Sequence, residues 1–123
     1  MKVYVFGNPD LKKDSLPKKL IPTLAKKFPE IEFVDADPLD LRFPQKNLVV
    51  IDTVLGIKQV TVFDNLKDFE KRSRLSLHDY DLGMELFLQQ KVGKIGKLKV
   101  IGIPPKYPKQ KIIKEFVEIF KFR

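Results

Sequence analysis

The sequence predicts an α/β protein: a three-layer α/β/α sandwich around a mostly parallel, mixed sheet of about five strands. Short apolar runs typical of strands alternate with segments in which apolar residues recur every three or four positions, as on one face of a helix. One run, Leu48-Val49-Val50-Ile51, is apolar throughout and is typical of a strand covered on both faces. We expect all 123 residues, 1–123, to form a single domain.

The amino-terminal part of the chain is predicted to form a strand followed by a helix. Lys2 to Phe6 combines valines with aromatic residues, and the turn-forming Gly7-Asn8-Pro9-Asp10 ends the strand. Pro17 fits only the first turn of a helix, and Asp14 or Ser15 precedes it as the N-cap. The apolar face of this helix consists of residues at four-residue intervals, Leu16, Leu20, Leu24 and Phe28.

Three strands are predicted in the middle of the chain. Ile31 to Val34 forms the second strand, and residues 35–45 form a loop. The apolar run that follows ends at Asp52. Gln59 to Phe63 comes after a link too short for a parallel crossover, so this strand is predicted to be the antiparallel member of the sheet.

The carboxyl-terminal part is predicted to contain a helix, a strand and a final helix. Ser76 and Asp79 are typical of a helix entrance, and Gly93 and Gly96 are predicted to close this helix. Leu98 to Ile103 is the last strand. The final helix is predicted from the apolar residues Ile112, Ile113, Phe116, Val117 and Phe120.

Composition excludes several classes of function. The chain has no cysteine, which excludes thiol catalysis, disulfides, zinc ribbons and iron–sulfur ligation. The single histidine, His78, means that a metal site would be rich in oxygen ligands. No apolar run approaches the roughly 18–20 residues of a membrane span, and the start lacks a signal-peptide core. We therefore expect a cytoplasmic protein without membrane insertion.

The positive charge has two interpretations. Lysine and arginine exceed the acids by 24 to 16, which gives a formal charge of +8. Lysines interleaved with acids along the whole chain, without Cys or Trp, favour a thermophilic source. No basic block with interleaved aromatic residues is present, so we expect no nucleic-acid partner, and a nucleic-acid-binding module ranks last among the hypotheses.

Three polar residues are predicted to meet at the carboxyl edge of the sheet, where open α/β sheets bind ligands. Asp14 lies in the loop after the first strand, Asp52 ends the central strand, and His78 lies at the start of a helix. Two carboxylates and an imidazole suit a divalent transition metal such as nickel, zinc or copper, and three ligands leave positions for substrate or water. Each residue also has a purely structural interpretation: a helix cap, a turn residue and a surface side chain, respectively.

Four stretches carry a family resemblance. In order they are Val5–Asp14 with its Gly7-Asn8 turn, Leu48–Val54 ending its apolar run in Asp52, Ser76–Gly83 with His78, and Leu98–Pro105. Together they span almost the whole chain. They resemble the hydrogenase maturation proteases, the endopeptidases that trim the large subunit of nickel-containing hydrogenases.

The resemblance implies an activity, a partner and a site. The protein would remove the C-terminal extension of a hydrogenase large-subunit precursor after nickel insertion. Asp14, Asp52 and His78 would be both the metal ligands and the catalytic residues. The precursor would present the nickel, and the isolated protein would accept another divalent metal.

Two departures from the family pattern leave a second hypothesis open. Lys13 precedes a single acid, Asp14, where the family usually has two consecutive acids. Ser15 and Pro17 stand where the family usually has glycines. The alternative is a non-catalytic metal- or precursor-binding maturation factor of the same fold.

Overall fold

The computed structural model describes residues 2–6, 16–36, 45–54, 56–64 and 95–121. Within these ranges the strands are β1 (Lys2–Val5), β2 (Glu32–Asp35), β3 (Gln45–Thr53), β4 (Thr61–Phe63) and β5 (Ile95–Ile103). The helices are α1 (Leu16–Lys19), α2 (Ile21–Lys27) and α3 (Lys109–Lys121). None of these helices is long and apolar enough to span a membrane.

The strands form one five-stranded sheet in the order β2-β1-β3-β5-β4. β2, β1, β3 and β5 are parallel, and β4 pairs antiparallel with β5. The predicted α/β class, the mostly parallel sheet and the antiparallel fourth strand are confirmed. The link after Thr53 is too short for a parallel crossover, but it is long enough to pass β5 and place β4 on its far side.

The central strand β3 is buried on both faces, as its uninterrupted apolar run predicted. Val49 and Ile51 pack in one cluster with the helices, whereas Leu48 and Val50 pack in a second cluster on the other side of the sheet. We call these sides the helix face and the opposite face. Helices α1 to α3 and the residues at their junctions bury apolar side chains against the helix face. Examples are Leu20, Leu24, Ile112 and Phe116. The predicted helix at Ser76 lies outside the described residues.

The first helix was predicted to be continuous, but the structure has two helices there, α1 and α2. The predicted apolar face consisted of Leu16, Leu20, Leu24 and Phe28. Pro22 is the physical reason for the break, because proline has no N–H and its ring conflicts with the carbonyl group four residues earlier. At the junction, the Leu20 N–H donates to the Pro17 carbonyl over 3.1 Å, and the Leu24 N–H donates to the Leu20 carbonyl over 2.8 Å. Three of the four apolar residues are buried despite the break, and Leu16 is half-buried.

The predicted role of Gly96 as the end of a helix is wrong, because Gly96 lies in β5. This strand begins three residues earlier than its apolar run, since backbone pairing with β3 continues into polar sequence. A Cβ atom on Gly96 would lie 2.5 Å from the Lys46 carbonyl oxygen of β3. Gly96 is therefore needed for close strand packing at the amino edge of the sheet.

Helix α3 is amphipathic, as predicted, and packs on the helix face. Phe116 is fully buried, and its ring centroid lies 5.8 Å from that of Phe120. The ring of Phe120 in turn lies 5.2 Å from that of Phe28 in an edge-to-face arrangement, which is favourable for aromatic pairs. These rings join α3 to the end of α2.

Candidate active site

The strand order predicts a crevice between the carboxyl ends of β1 and β3. From β1 the chain continues to β2 on one side of the sheet, and from β3 it continues to β4 and β5 on the other. In open α/β sheets, ligands bind where such connections diverge. The strand ends are held by backbone hydrogen bonds, from the Phe6 N–H to the Ile51 carbonyl over 2.8 Å and from the Val54 N–H to the Ile103 carbonyl over 2.9 Å.

Asp52 lies at this crevice, as predicted. It is the second-last residue of β3, and the residue is only 5% exposed. By strand alternation its side chain projects toward the opposite face, with Leu48 and Val50. The Thr53 N–H donates to Asp52 Oδ1 over 2.9 Å, which fixes the orientation of the carboxylate. A carboxylate held in this way is a suitable oxygen ligand for a cation or a suitable proton acceptor.

Apolar side chains lie next to the residue that faces Asp52 in β5. Its partner in β5 is Gly102, and Val54 and Ile57 occupy the space that a side chain at this position would need. A Cβ atom on Gly102 would lie 2.7 Å from Val54 Cγ2 and 3.2 Å from Ile57 Cδ1. The β5 side of this part of the sheet is therefore closely packed and apolar.

The other two predicted site residues, Asp14 and His78, lie outside the described residues. Of the predicted set, the structure therefore describes Asp52 alone. No group of three or more His, Cys, Asp or Glu side chains that could hold a metal occurs in the part of the chain that the structure describes. The convergence of Asp14, Asp52 and His78 stays a prediction.

Glu115 forms a second polar group at the same edge of the sheet. Its Oε1 accepts a hydrogen bond from the Val60 N–H over 3.2 Å and another from the Tyr107 hydroxyl over 3.1 Å. These bonds join α3 to the segment before β4 and to the connection after β5. Sequence reasoning did not single out Glu115. The available signal was a glutamate next to Phe116, near the apolar face of an otherwise regular amphipathic helix.

The contact with Glu115 raises the pKa of Tyr107 above its ordinary value of 10.0, chiefly because the carboxylate accepts the hydrogen bond of the protonated phenol. A raised pKa in the folded state stabilises the fold below about pH 10, and this stabilisation is lost as the pH rises through the folded-state value. We therefore expect Tyr107→Phe to make stability less dependent on pH above about pH 10. Urea unfolding at a series of alkaline pH values measures this.

Glu115→Gln supplies the matched variant, because it removes the charge that acts on Tyr107. It should flatten the alkaline part of the profile less than Tyr107→Phe does, because the glutamine oxygen can still accept the hydrogen bond of the Tyr107 hydroxyl. Identical profiles for the wild type and Tyr107→Phe would contradict the assigned contact.

Comparison with known proteins gives two structural relatives. No family model and no curated protein matches the chain. The [NiFe] hydrogenase maturation protease HybD from Thermococcus kodakarensis matches with a TM-score of 0.63 at 22% identity, over 99% of this chain and 98% of that one. The hydrogenase maturating endopeptidase HybD from E. coli matches with a TM-score of 0.62 at 17% identity, over 97% of this chain and 86% of that one.

Both matches extend over almost the whole of this chain, so they include the sheet and the strand that carries Asp52. Identities of this size show a common fold. The protein therefore has the fold of the HybD hydrogenase maturation proteases, and the resemblance predicted from four short stretches is confirmed at that level.

Proposed function

We propose that this protein is an endopeptidase that removes the C-terminal extension of a nickel-containing hydrogenase large-subunit precursor. The observation that carries the proposal is the position of Asp52, a buried carboxylate at the crevice between β1 and β3. The fold shared with two maturation proteases supports the same reaction class. Structural likeness alone does not determine chemistry, so the proposal depends on the site.

Recognition in this proposal depends on nickel that the precursor already carries. Asp14, Asp52 and His78 would complete the coordination of a metal held by the precursor, so that precursor without nickel docks weakly. Binding requires ionised carboxylates and a neutral imidazole, and docking should therefore weaken in acid. A site with only three ligands of its own would bind free metal weakly. It would bind metal in the precursor more tightly, because the precursor supplies further ligands.

Hydrolysis requires a water molecule to attack the scissile carbonyl carbon while a base accepts its proton. Asp52 or Asp14 is the candidate base, and the proton then passes to the departing amine of the extension. A bound divalent metal supplies polarisation of the carbonyl group and activation of water.

The alternative function is a maturation factor that binds the metal or the precursor without cutting. Lys13, in place of a second acid before Asp14, is the feature that favours it. In this case precursor binding would survive replacement of both Asp14 and Asp52 by alanine.

The direct test incubates the protein with nickel-loaded precursor and determines the mass of the product. The proposal predicts loss of a C-terminal peptide from nickel-loaded precursor and no loss from nickel-free precursor. An established maturation protease, applied to the same sample, is the positive control. An unchanged mass in a sample that the control cuts would reject the proposed activity, and retained binding would then support the alternative.

A further inference from the structure

The chain between β3 and β4 is held against both faces of the sheet. We call its described part, residues 56–60, the β3–β4 link. It leads past β5 to β4 on the far side of that strand. Ile57 packs with the apolar cluster of the opposite face, whereas the Val60 side chain is buried in the cluster of the helix face. The link is therefore fixed at two points.

The first of these points adjoins the position of Asp52. Gly102 is the register partner of Asp52 in β5, and Ile57 Cδ1 would lie 3.2 Å from a Cβ atom at Gly102. Asp52 projects toward the same face, since Ile57 belongs to the cluster of the opposite face. Neighbouring strands lie about 4.8 Å apart, so the link borders Asp52 on the β5 side.

The second point depends on a side chain from another element. The Val60 N–H donates to Glu115 Oε1 over 3.2 Å, and this bond joins residues 55 positions apart in the sequence. Glu115 is itself oriented by the Tyr107 hydroxyl, which donates to the same oxygen over 3.1 Å. Because Val60 is the last residue of the link, Glu115 fixes the end of the link from α3.

The link presents an accessible surface between its two fixed points. Gly56, Lys58 and Gln59 are exposed, although Val60 beyond them is buried. A molecule that docks at the carboxyl edge beside Asp52 therefore has this exposed chain segment next to it. The position of that segment is determined in part by Glu115.

We propose that Glu115 is a positioning residue of the candidate site, which holds the β3–β4 link in the place that the docked precursor requires. The inference rests on the proposed function, and it assigns Glu115 no contact with the precursor. Asp52 lies in β3, which is paired with β1 and β5, so loss of the Glu115 bond should leave Asp52 in place and free the link. Binding of the precursor should therefore change more than the chemical step.

Glu115→Ala tests this role, because alanine removes the acceptor and still suits a helix. Hydrogen exchange followed by mass spectrometry should show exchange in residues 56–60 that is about tenfold faster than in the wild type. KM for nickel-loaded precursor should rise about three- to tenfold with kcat nearly unchanged. Glu115→Gln keeps an acceptor oxygen and should restore both values to near those of the wild type.

Glu118→Ala is the matched control on the same helix. Glu118 is exposed, so its replacement should change neither the exchange of the link nor KM. The split between KM and kcat separates positioning from a general loss of stability. A protein that is merely less stable contains fewer active molecules, which lowers the apparent kcat and leaves KM unchanged.

Unchanged exchange of residues 56–60 in Glu115→Ala would overturn the inference, as would faster exchange with a wild-type KM. A Glu115→Gln variant that behaves like Glu115→Ala would reject it too, because the acceptor is still present. Failure of the proposed function gives a different result: the wild type then does not cut at all. In that case the dissociation constant for nickel-loaded precursor replaces KM. A three- to tenfold weaker complex with Glu115→Ala supports the role of Glu115, and an unchanged one rejects it.

Discussion

Asp52→Asn is expected to slow cleavage of nickel-loaded precursor by a factor of about 10²–10⁴, the usual contribution of a positioned proton-transfer group. The substitution keeps the size of the side chain and an oxygen that can accept the hydrogen bond of the Thr53 N–H. It removes the negative charge that a metal ligand or a general base requires. Single-turnover cleavage, followed by the mass of the large subunit, measures the effect.

Asp35→Asn is the matched control, because Asp35 ends β2 at the same edge of the sheet. Its side chain is 68% exposed and forms an ion pair with Lys18 over 2.7 Å. Exposed ion pairs contribute little, so cleavage should stay within about twofold of the wild type and stability within about 1 kcal/mol. A similar cleavage rate for Asp52→Asn and the wild type would show that Asp52 takes no part in the reaction.

Phe116→Ala is expected to lower the free energy of unfolding by about 3–5 kcal/mol, which is typical of a phenylalanine removed from a closed core. Phe116 is fully buried between α3 and the strands of the helix face. Removing its ring also removes the contact with Phe120, whose centroid lies 5.8 Å away. Urea unfolding measures the loss, and the slope of the transition shows whether unfolding remains two-state.

Phe120→Ala provides the comparison on the same helix. Phe120 is half-buried, so less apolar area returns to water, and we expect a loss of about 1–2 kcal/mol. A Phe116→Ala loss no larger than that of Phe120→Ala would mean that α3 is not anchored as described.

Periodicity predicted the elements that are governed by local pattern. The run at residues 48–51 predicted a doubly covered strand because only such a strand buries consecutive side chains on both faces. The helix at Ile112 to Phe120 was predicted because its apolar residues lie on one face. The antiparallel strand followed from the length of the link before it.

Three features were missed, and two of them depend on chain segments that are distant in the sequence. Pro22 divides the predicted first helix, and this break could have been predicted had the clash with the preceding turn been considered. Gly96 was misassigned because its neighbour, the Lys46 carbonyl, lies 50 residues earlier in the chain. The bonds of Glu115 to Val60 and Tyr107 are likewise determined by the fold.

The position of Asp52 in the fold was predicted, and its role stays a prediction. Asp52 is at the expected edge because parallel strands place their carboxyl ends together. The assignment of Asp14 and His78 continues to depend on the family resemblance and on the predicted loop and helix that carry them.

The most direct test of a site shared by Asp14, Asp52 and His78 measures the affinity of the protein for nickel-loaded and for nickel-free precursor. The proteins compared are the wild type and the variants Asp14→Asn, Asp52→Asn and His78→Ala. If the three side chains complete the coordination of one nickel ion, the wild type binds the nickel-loaded form more tightly. Each substitution then reduces that preference, while affinity for the nickel-free form is unchanged. Equal affinity of the wild type for both forms, or a nickel preference that persists in all three variants, would contradict the shared site.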